Sequence, residues 1–252
     1  MLNYIKSEFY QIRHNKSLLW AGGIMALLII AVAGFIKYFS SRFGADMTTF
    51  SPLYTSMSLI FAVAGIFASF LENGEHMRHH TLKNSVAFGI HRSKIYIGKF
   101  VSQFITCTFM YLFLAAFYIA VTCVVLGVPS GSEFISLFRA LAGGYPLCIC
   151  CFSISMCFFT NMGSGAGGLW SAIGVVYVLP NVFSVLSIRF SIFDVLYKWS
   201  PVNMISFQLD GIKRFAFWDT ASGMAHCYLT GIVGTVMFLI IGMYWLERRE
   251  IR

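Results

Sequence analysis

The stretch Glu72–Lys99 reads ENGEHMRHHTLKNSVAFGIHRSKIYIGK, and its reading decides the fold. It is a charged island, carrying five of the 18 Lys and Arg residues and four of the six His. Uncharged runs flank it, Met47–Leu71 before and Phe100–Ser132 after. A bilayer crossing takes ~20 mainly apolar residues. Both runs are long enough to cross, so the island must protrude from the membrane between them.

Composition places the whole chain in the same class. Hydrophobic residues make up 58% of the 252 and charged ones 11%, against the ~25% charged of a soluble domain. That leaves room for about six spans and no soluble domain of ordinary size. The net charge of +8 lies between apolar runs rather than on one face of a soluble fold, so it serves orientation in a membrane rather than nucleic-acid binding. Cys107, Cys123, Cys148, Cys150 and Cys151 lie within apolar runs, with Cys157 and Cys227 near the ends of such runs. They read as small buried hydrophobes. No CxxC pair in a soluble context and no disulfide framework is present.

Working outward from the island, six spans are expected: Leu18–Ile36, Pro52–Leu71, Phe100–Val128, Ala140–Phe159, Gly168–Ile188 and Ala225–Leu246. The uncharged stretch Ala140–Ile188 is too long for one helix and divides at Thr160-Asn161-Met162-Gly163-Ser164-Gly165, a cluster of turn residues. A barrel would need short segments of alternating polarity, which are missing, so the spans are helical. The first run is expected to be retained rather than cleaved. Ala31-Val32-Ala33 resembles a cleavage site, but 17 residues precede the run, and it exceeds a signal h-region of ~7–15 residues. The fold class is therefore an all-α integral membrane protein, a single transmembrane domain over 1–252.

Six spans put both termini on the island's side. That side holds Lys6, Arg13, Lys16, Arg78, Lys83, Arg92, Lys94, Lys99, Arg248, Arg249 and Arg252, eleven residues. The other holds Lys37, Arg42, Arg139, Arg189, Lys198, Lys213 and Arg214, seven residues, four of them in the long 188–224 segment where charge counts less. The island and the termini are expected to be cytoplasmic, in a multi-pass protein of a cell membrane.

Residues 1–17 carry their own pattern. Leu2, Ile5, Phe9 and Ile12 fall on one helical face while Lys6, Glu8 and Arg13 point elsewhere. This is an amphipathic helix lying in the interface. Within the island, Gly89 reads as a helix stop and Ser93 as the N-cap of the next helix. Thr81–Phe88 is then a short helix with Leu82 and Val86 on one side, and Lys94 and Lys99 anchor the next at the headgroups. A short helix, a tight turn and a stiff entry into the membrane can transmit a push.

Taken together, the amphipathic N-terminal helix, the six spans and the run from Glu72 through Thr81-Leu82-Lys83-Asn84-Ser85, Ala87, Gly89-Ile90, Arg92-Ser93-Lys94-Ile95-Tyr96 and Lys99 resemble the type-2 ABC transporter permeases. The resemblance covers the chain in topology, and its specific letters are confined to the island. In length and compactness the chain is most similar to bacterial lantibiotic and antimicrobial-peptide immunity and export permeases. The resemblance implies that 72–99 is a coupling loop seating on a separate cytoplasmic ATPase. Glu72, Thr81, Leu82, Lys83, Asn84, Ser85, Gly89, Arg92 and Lys94 are then the docking residues. It implies a second permease copy, with ATP and Mg bound by the ATPase and no cofactor on this chain. The chain is expected to be a transport subunit rather than an enzyme.

Other motifs read as packing or solvation. Gly163-Ser164-Gly165-Ala166-Gly167-Gly168 fits GxGxxG literally, but it joins two apolar spans rather than a strand and a helix, so it is a turn and a close-packing site. Gly98-Lys99 lacks the first Gly and the following Ser or Thr of a P-loop. His76, His79 and His80 with Glu72 and Glu75 match no metal-ligand spacing and read as a solvated helix end. Cys148, Cys150 and Cys151 do not converge on one helical face. No Asp, Glu or Lys falls inside an expected span. This disfavours an ion-coupled carrier or an intramembrane enzyme, which need such groups, and leaves a non-transporting anchor or sensor subunit as the other alternative. Phe and Tyr total 26 and 12, which suits an amphiphilic cargo, a peptide first. The 188–224 segment mixes Trp199, Phe207, Phe215, Phe217 and Trp218 with Asp194, Asp210 and Asp219. Two short amphipathic helices at the outer leaflet are expected there.

Overall fold

The structure, a computed structural model, describes residues 6–10, 12, 16–43, 91–126, 131–162, 165–205, 208–210, 213–215 and 217–248. The expected span Pro52–Leu71 and island residues 72–90 lie outside these. Residues 6–10 are helical. The long helices are α1 (Lys16–Phe43), α2 (Arg92–Leu126), α3 (Gly131–Met162) and α8 (Ala221–Arg248). Between α3 and α8 lie α4 (Gly165–Ile173), a π-helical turn (Gly174–Val178), α5 (Leu179–Leu186), α6 (Ser191–Lys198) and α7 (Pro201–Ile205). This is an all-α membrane protein. Among the described residues, Arg92–Val125, Phe134–Met162, Ala166–Leu186 and Ala221–Arg248 are each long and apolar enough to cross a bilayer.

Apolar side chains line the outside as well as the core. Trp20, Leu27, Phe109, Phe113, Trp170, Val182, Ile232 and Val236 are all exposed, the arrangement expected where lipid replaces water as solvent. Helix α3 is the hub: 78% of its spanning window is buried, against 17% to 28% in the other three. Helix α2 runs antiparallel to α3, with Phe100 on Phe152 and, further along, Thr108 bonded to Tyr145 and Tyr111 donating to the Leu141 carbonyl. Helix α8 runs parallel to α3, meeting it at Gly231 on Pro146, Gly234 on Cys150 and Trp245 on Phe158. The glycines at the first two contacts let the two backbones approach. One apolar cluster joins α1, α2 and α3 through Met25, Ile29, Leu114 and Phe152. A second joins α3, α4, the π turn and α8 through Cys151, Ile154, Ala172, Val176 and Cys227.

Polar residues inside the helices are handled locally. Ser102, Thr106, Ser153, Ser155 and Thr160 each return their hydroxyl to a carbonyl three or four residues back, which removes the cost of a bare donor in an apolar interior. Pro146 sits inside α3. Pro180 follows the π turn, where the Leu179 N–H reaches back to the Gly174 carbonyl. The wider turn suits a proline, which offers no N–H and crowds the carbonyl four residues before it.

Several expectations change. Helix α2 starts at Arg92, two residues before the start expected after Ser93, and α3 extends from Gly131, beyond the apolar run Ala140–Phe159, because charge at a helix end does not stop a helix. His91, not Ser93, is the N-cap residue: its carbonyl accepts from the Lys94 and Ile95 N–H groups. Glu8, placed by the sequence off the apolar face, is buried. On a wheel of 3.6 residues per turn it lies only about 40° from Ile12, within reach of neighbouring packing. Segment 188–224 holds α6 and α7 and, in addition, a hairpin of Gln208–Asp210 against Lys213–Phe215, with Gln208 opposite Phe215.

Candidate functional site

The described end of the island, His91–Lys99, opens with the first turn of α2. Of the expected docking residues, Glu72, Thr81, Leu82, Lys83, Asn84, Ser85 and Gly89 lie outside the described residues. Arg92 and Lys94 stand in that first turn, Arg92 half-buried and Lys94 exposed.

This turn is fastened to the far end of the chain. Arg92 Nη1 donates to the backbone carbonyl of Glu247 at 3.1 Å, and Ser93 Oγ donates to Glu247 Oε1. His91 Nδ1 lies 3.0 Å from the same Ser93 hydroxyl. The last carbonyls of a helix have no partner inside it and carry the negative end of its dipole. Arg92 supplies a cation and a donor to that end of α8. Conversely, the Glu247 carboxylate sits at the positive end of α2. The two helix ends cap one another, each contact contributing about 0.3–1 kcal/mol.

One turn further in lies a polar knot. Tyr96 is 1% exposed, and its ring lies near the Cys157–Thr160 turn of α3. The ring occupies a notch at Gly242 of α8, where a Cβ would lie 2.6 Å from Tyr96 Cζ. Asn161 Nδ2 donates to the Cys157 carbonyl of its own helix at 2.8 Å and to the Gly242 carbonyl at 3.2 Å. Its Oδ1 is buried without a hydrogen-bond partner. The expected span Ala225–Leu246 contains Gly242; of the expected break Thr160–Gly165, α3 ends at Met162 and α4 starts at Gly165, so Thr160 and Asn161 are helical. Both residues belong to the last turn of α3.

Below the knot, Lys99, Ser102, Gln103 and Thr106 form a polar stripe on α2, buried to 2%, 0%, 1% and 9% exposure. Lys99 therefore does not anchor at the headgroups as expected. It stands two turns inside α2, packed within the bundle. The spacing 99, 102, 103, 106 is a one-face helical pattern, so this stripe was available in the sequence. Glu247, Tyr96 and Gly242 carried no comparable signal. At the same end, Arg248 lies over the Tyr244 ring at 4.4 Å, the cation–aromatic pairing typical of a membrane interface.

The GxGxxG stretch is a packing device, as expected. A Cβ on Gly168 would come within 2.6 Å of Phe159 Cδ1 and 3.0 Å of its Cα, so α4 closes tightly on α3. Comparison with curated proteins yields no match. The profile of the family described as "ABC-2 family transporter protein" matches residues 4–181, well over half of the 252-residue chain and including the island, α2 and α3, and the chain belongs to that family.

Proposed function

We propose that this chain is the membrane half of an ATP-driven exporter that moves an amphiphilic cargo, a peptide first, out of the cell. Family membership makes it the permease subunit of an ABC transporter and implies an ABC ATPase partner. In this reading two permease copies span the cell membrane with both termini and the island cytoplasmic. The ATPase seats on residues 72–94 and holds the ATP and Mg. No step of ATP hydrolysis falls on this chain.

One observation carries the reading. The helix that leaves the island is fastened at its first turn to the last helix of the chain, through Arg92 and Ser93 on Glu247. A partner pushing on the island thus acts on two long apolar helices together. The excess of basic residues on the island's side supports the orientation. The aromatic content, 17% of the chain, supports an amphiphilic cargo.

The test replaces Thr81–Phe88 with a Gly/Ser linker of equal length and measures co-purification with the ATPase and ATP-dependent export. Loss of both, with the chain still in the membrane, is expected. Persistence of both would show that the island is not the dock.

A further inference from the structure

Three helices converge on Tyr96, and their contacts have the build of an interlock. The ring fills a notch that exists only because residue 242 has no side chain. Its hydroxyl end lies against Gly242, and Asn161 bridges from α3 to the α8 backbone at the same notch. A turn away, the mutual capping of Arg92 and Glu247 holds the two helix ends. A helix rises 1.5 Å per residue, so sliding α2 along α8 by a single residue would drive the Tyr96 ring from the Gly242 notch into flanking backbone. Tilting it away would pull the Tyr96 ring out of the notch and leave a void beside the Asn161–Gly242 bridge, which is costly in a packed interior.

We infer that Tyr96, Asn161 and Gly242 form an interlock that passes motion imposed on the island to α3 and α8 as one rigid body. They are positioning residues: they hold helices and need touch no cargo. The inference rests on the export reading, because it takes the imposed motion to come from a docked ATPase. Interlocking parts have two discrete arrangements, seated and unseated, rather than a continuum. Seating at this knot therefore decides whether a push at the start of α2 reaches the last span.

The experiment uses the complex with its ATPase and needs no knowledge of the cargo. A bimane fluorophore is placed on α8 at Ile241→Cys, an exposed position, in a Cys123→Ser background, the other six cysteines being buried. Trapping with Mg·ATP and orthovanadate is expected to shift its emission. Gly242→Ala is expected to shrink that shift about fivefold while the ATPase still co-purifies. Asn161→Ala serves as the second variant should Gly242→Ala fail to accumulate. A full shift in either variant overturns the interlock.

A reversible clamp gives the complementary arm. Ser93→Cys and Glu247→Cys, bridged by a short bis-methanethiosulfonate, fix α2 to α8 at the clasp. The bimane shift is expected to survive bridging, since the two ends move together. Its loss on bridging and return on reduction would mean that they slide past one another, and the inference fails. Should the unsubstituted chain bind no ATPase, the export reading is overturned and the interlock with it.

Discussion

Gly231 of α8 lies against the backbone of Pro146 of α3: a Cβ there would sit 2.5 Å from Pro146 Cβ, 2.6 Å from its carbonyl carbon and 2.7 Å from its carbonyl oxygen. One turn on, Gly234 meets mainly the Cys150 sulfur, at 2.5 Å. The two contacts look alike in sequence and differ in what can yield. A proline ring and a helix backbone cannot rotate away, whereas a thiol can. Gly231→Ala is therefore expected to destabilise the helix pair by about 1–3 kcal/mol, the range for overpacking a tight core, and Gly234→Ala by about 1 kcal/mol or less. Unfolding midpoints in detergent decide it. Cys150→Ala in the same chain should restore Gly234→Ala and leave Gly231→Ala unrescued. An equal response at both positions would show that the notch at Gly231 opens as easily as the one at Gly234.

The clasp at the other end of α8 makes a quantitative claim. Ser93 is half-buried and Glu247 exposed, so water competes for their hydrogen bond and its coupling energy is expected to be about 0.5–1 kcal/mol. A double-mutant cycle of Ser93→Ala and Glu247→Ala on thermal unfolding measures it. Strict additivity would reduce the clasp to two neighbours that ignore one another.

Much of this architecture was legible from hydropathy, because lipid imposes one requirement on every span. Helices α2, α3 and α8 announce themselves as long uncharged runs. Their limits do not, since a helix continues past its last apolar residue as long as nothing breaks it. Nor does the burial of a cation announce itself, and Lys99 was read as a headgroup anchor. The site divides in the same way. Arg92 and Lys94 were visible as cations at the head of a helix. Glu247 was not, because its role comes from a contact across 154 positions of sequence, and no local pattern encodes such a pairing. Gly242 is one of 22 glycines, and only the ring of Tyr96 distinguishes it.

Cysteine chemistry offers a direct check on the bundle. Cys107, Cys148, Cys150, Cys151, Cys157 and Cys227 are buried, and Cys123 is half-buried near the end of α2. With N-ethylmaleimide on the native protein, mass spectrometry is expected to find at most one adduct, at Cys123, and seven only after denaturation. Fast modification of Cys150 or Cys151 in the native state would contradict the packing of α3 as the hub.

The last expectation concerns helix α6, which has no buried residue of its own. Ile192, Val195, Leu196 and Trp199 recur at helical spacing and are 68%, 55%, 47% and 43% exposed. On the opposite side, Asp194 and Lys198 form an ion pair at 2.7 Å. A helix so divided in a membrane protein is stable where a leaflet covers one face and water the other. At its end the Trp199 ring rests on His226 of α8, with centroids 5.4 Å apart, so the helix is held close to the start of the last span. Nitroxide labels at Val195→Cys and Lys198→Cys in liposomes test the arrangement. Oxygen, which concentrates in lipid, should collide preferentially with residue 195, and a water-soluble nickel chelate with residue 198. Equal access of the chelate to both would place α6 in water. In intact cells, thiol reagents added outside should reach residue 198; a position reached only from the cytoplasm would invert the proposed orientation of the whole chain, because α6 is tied to the beginning of α8 and the clasp to its end.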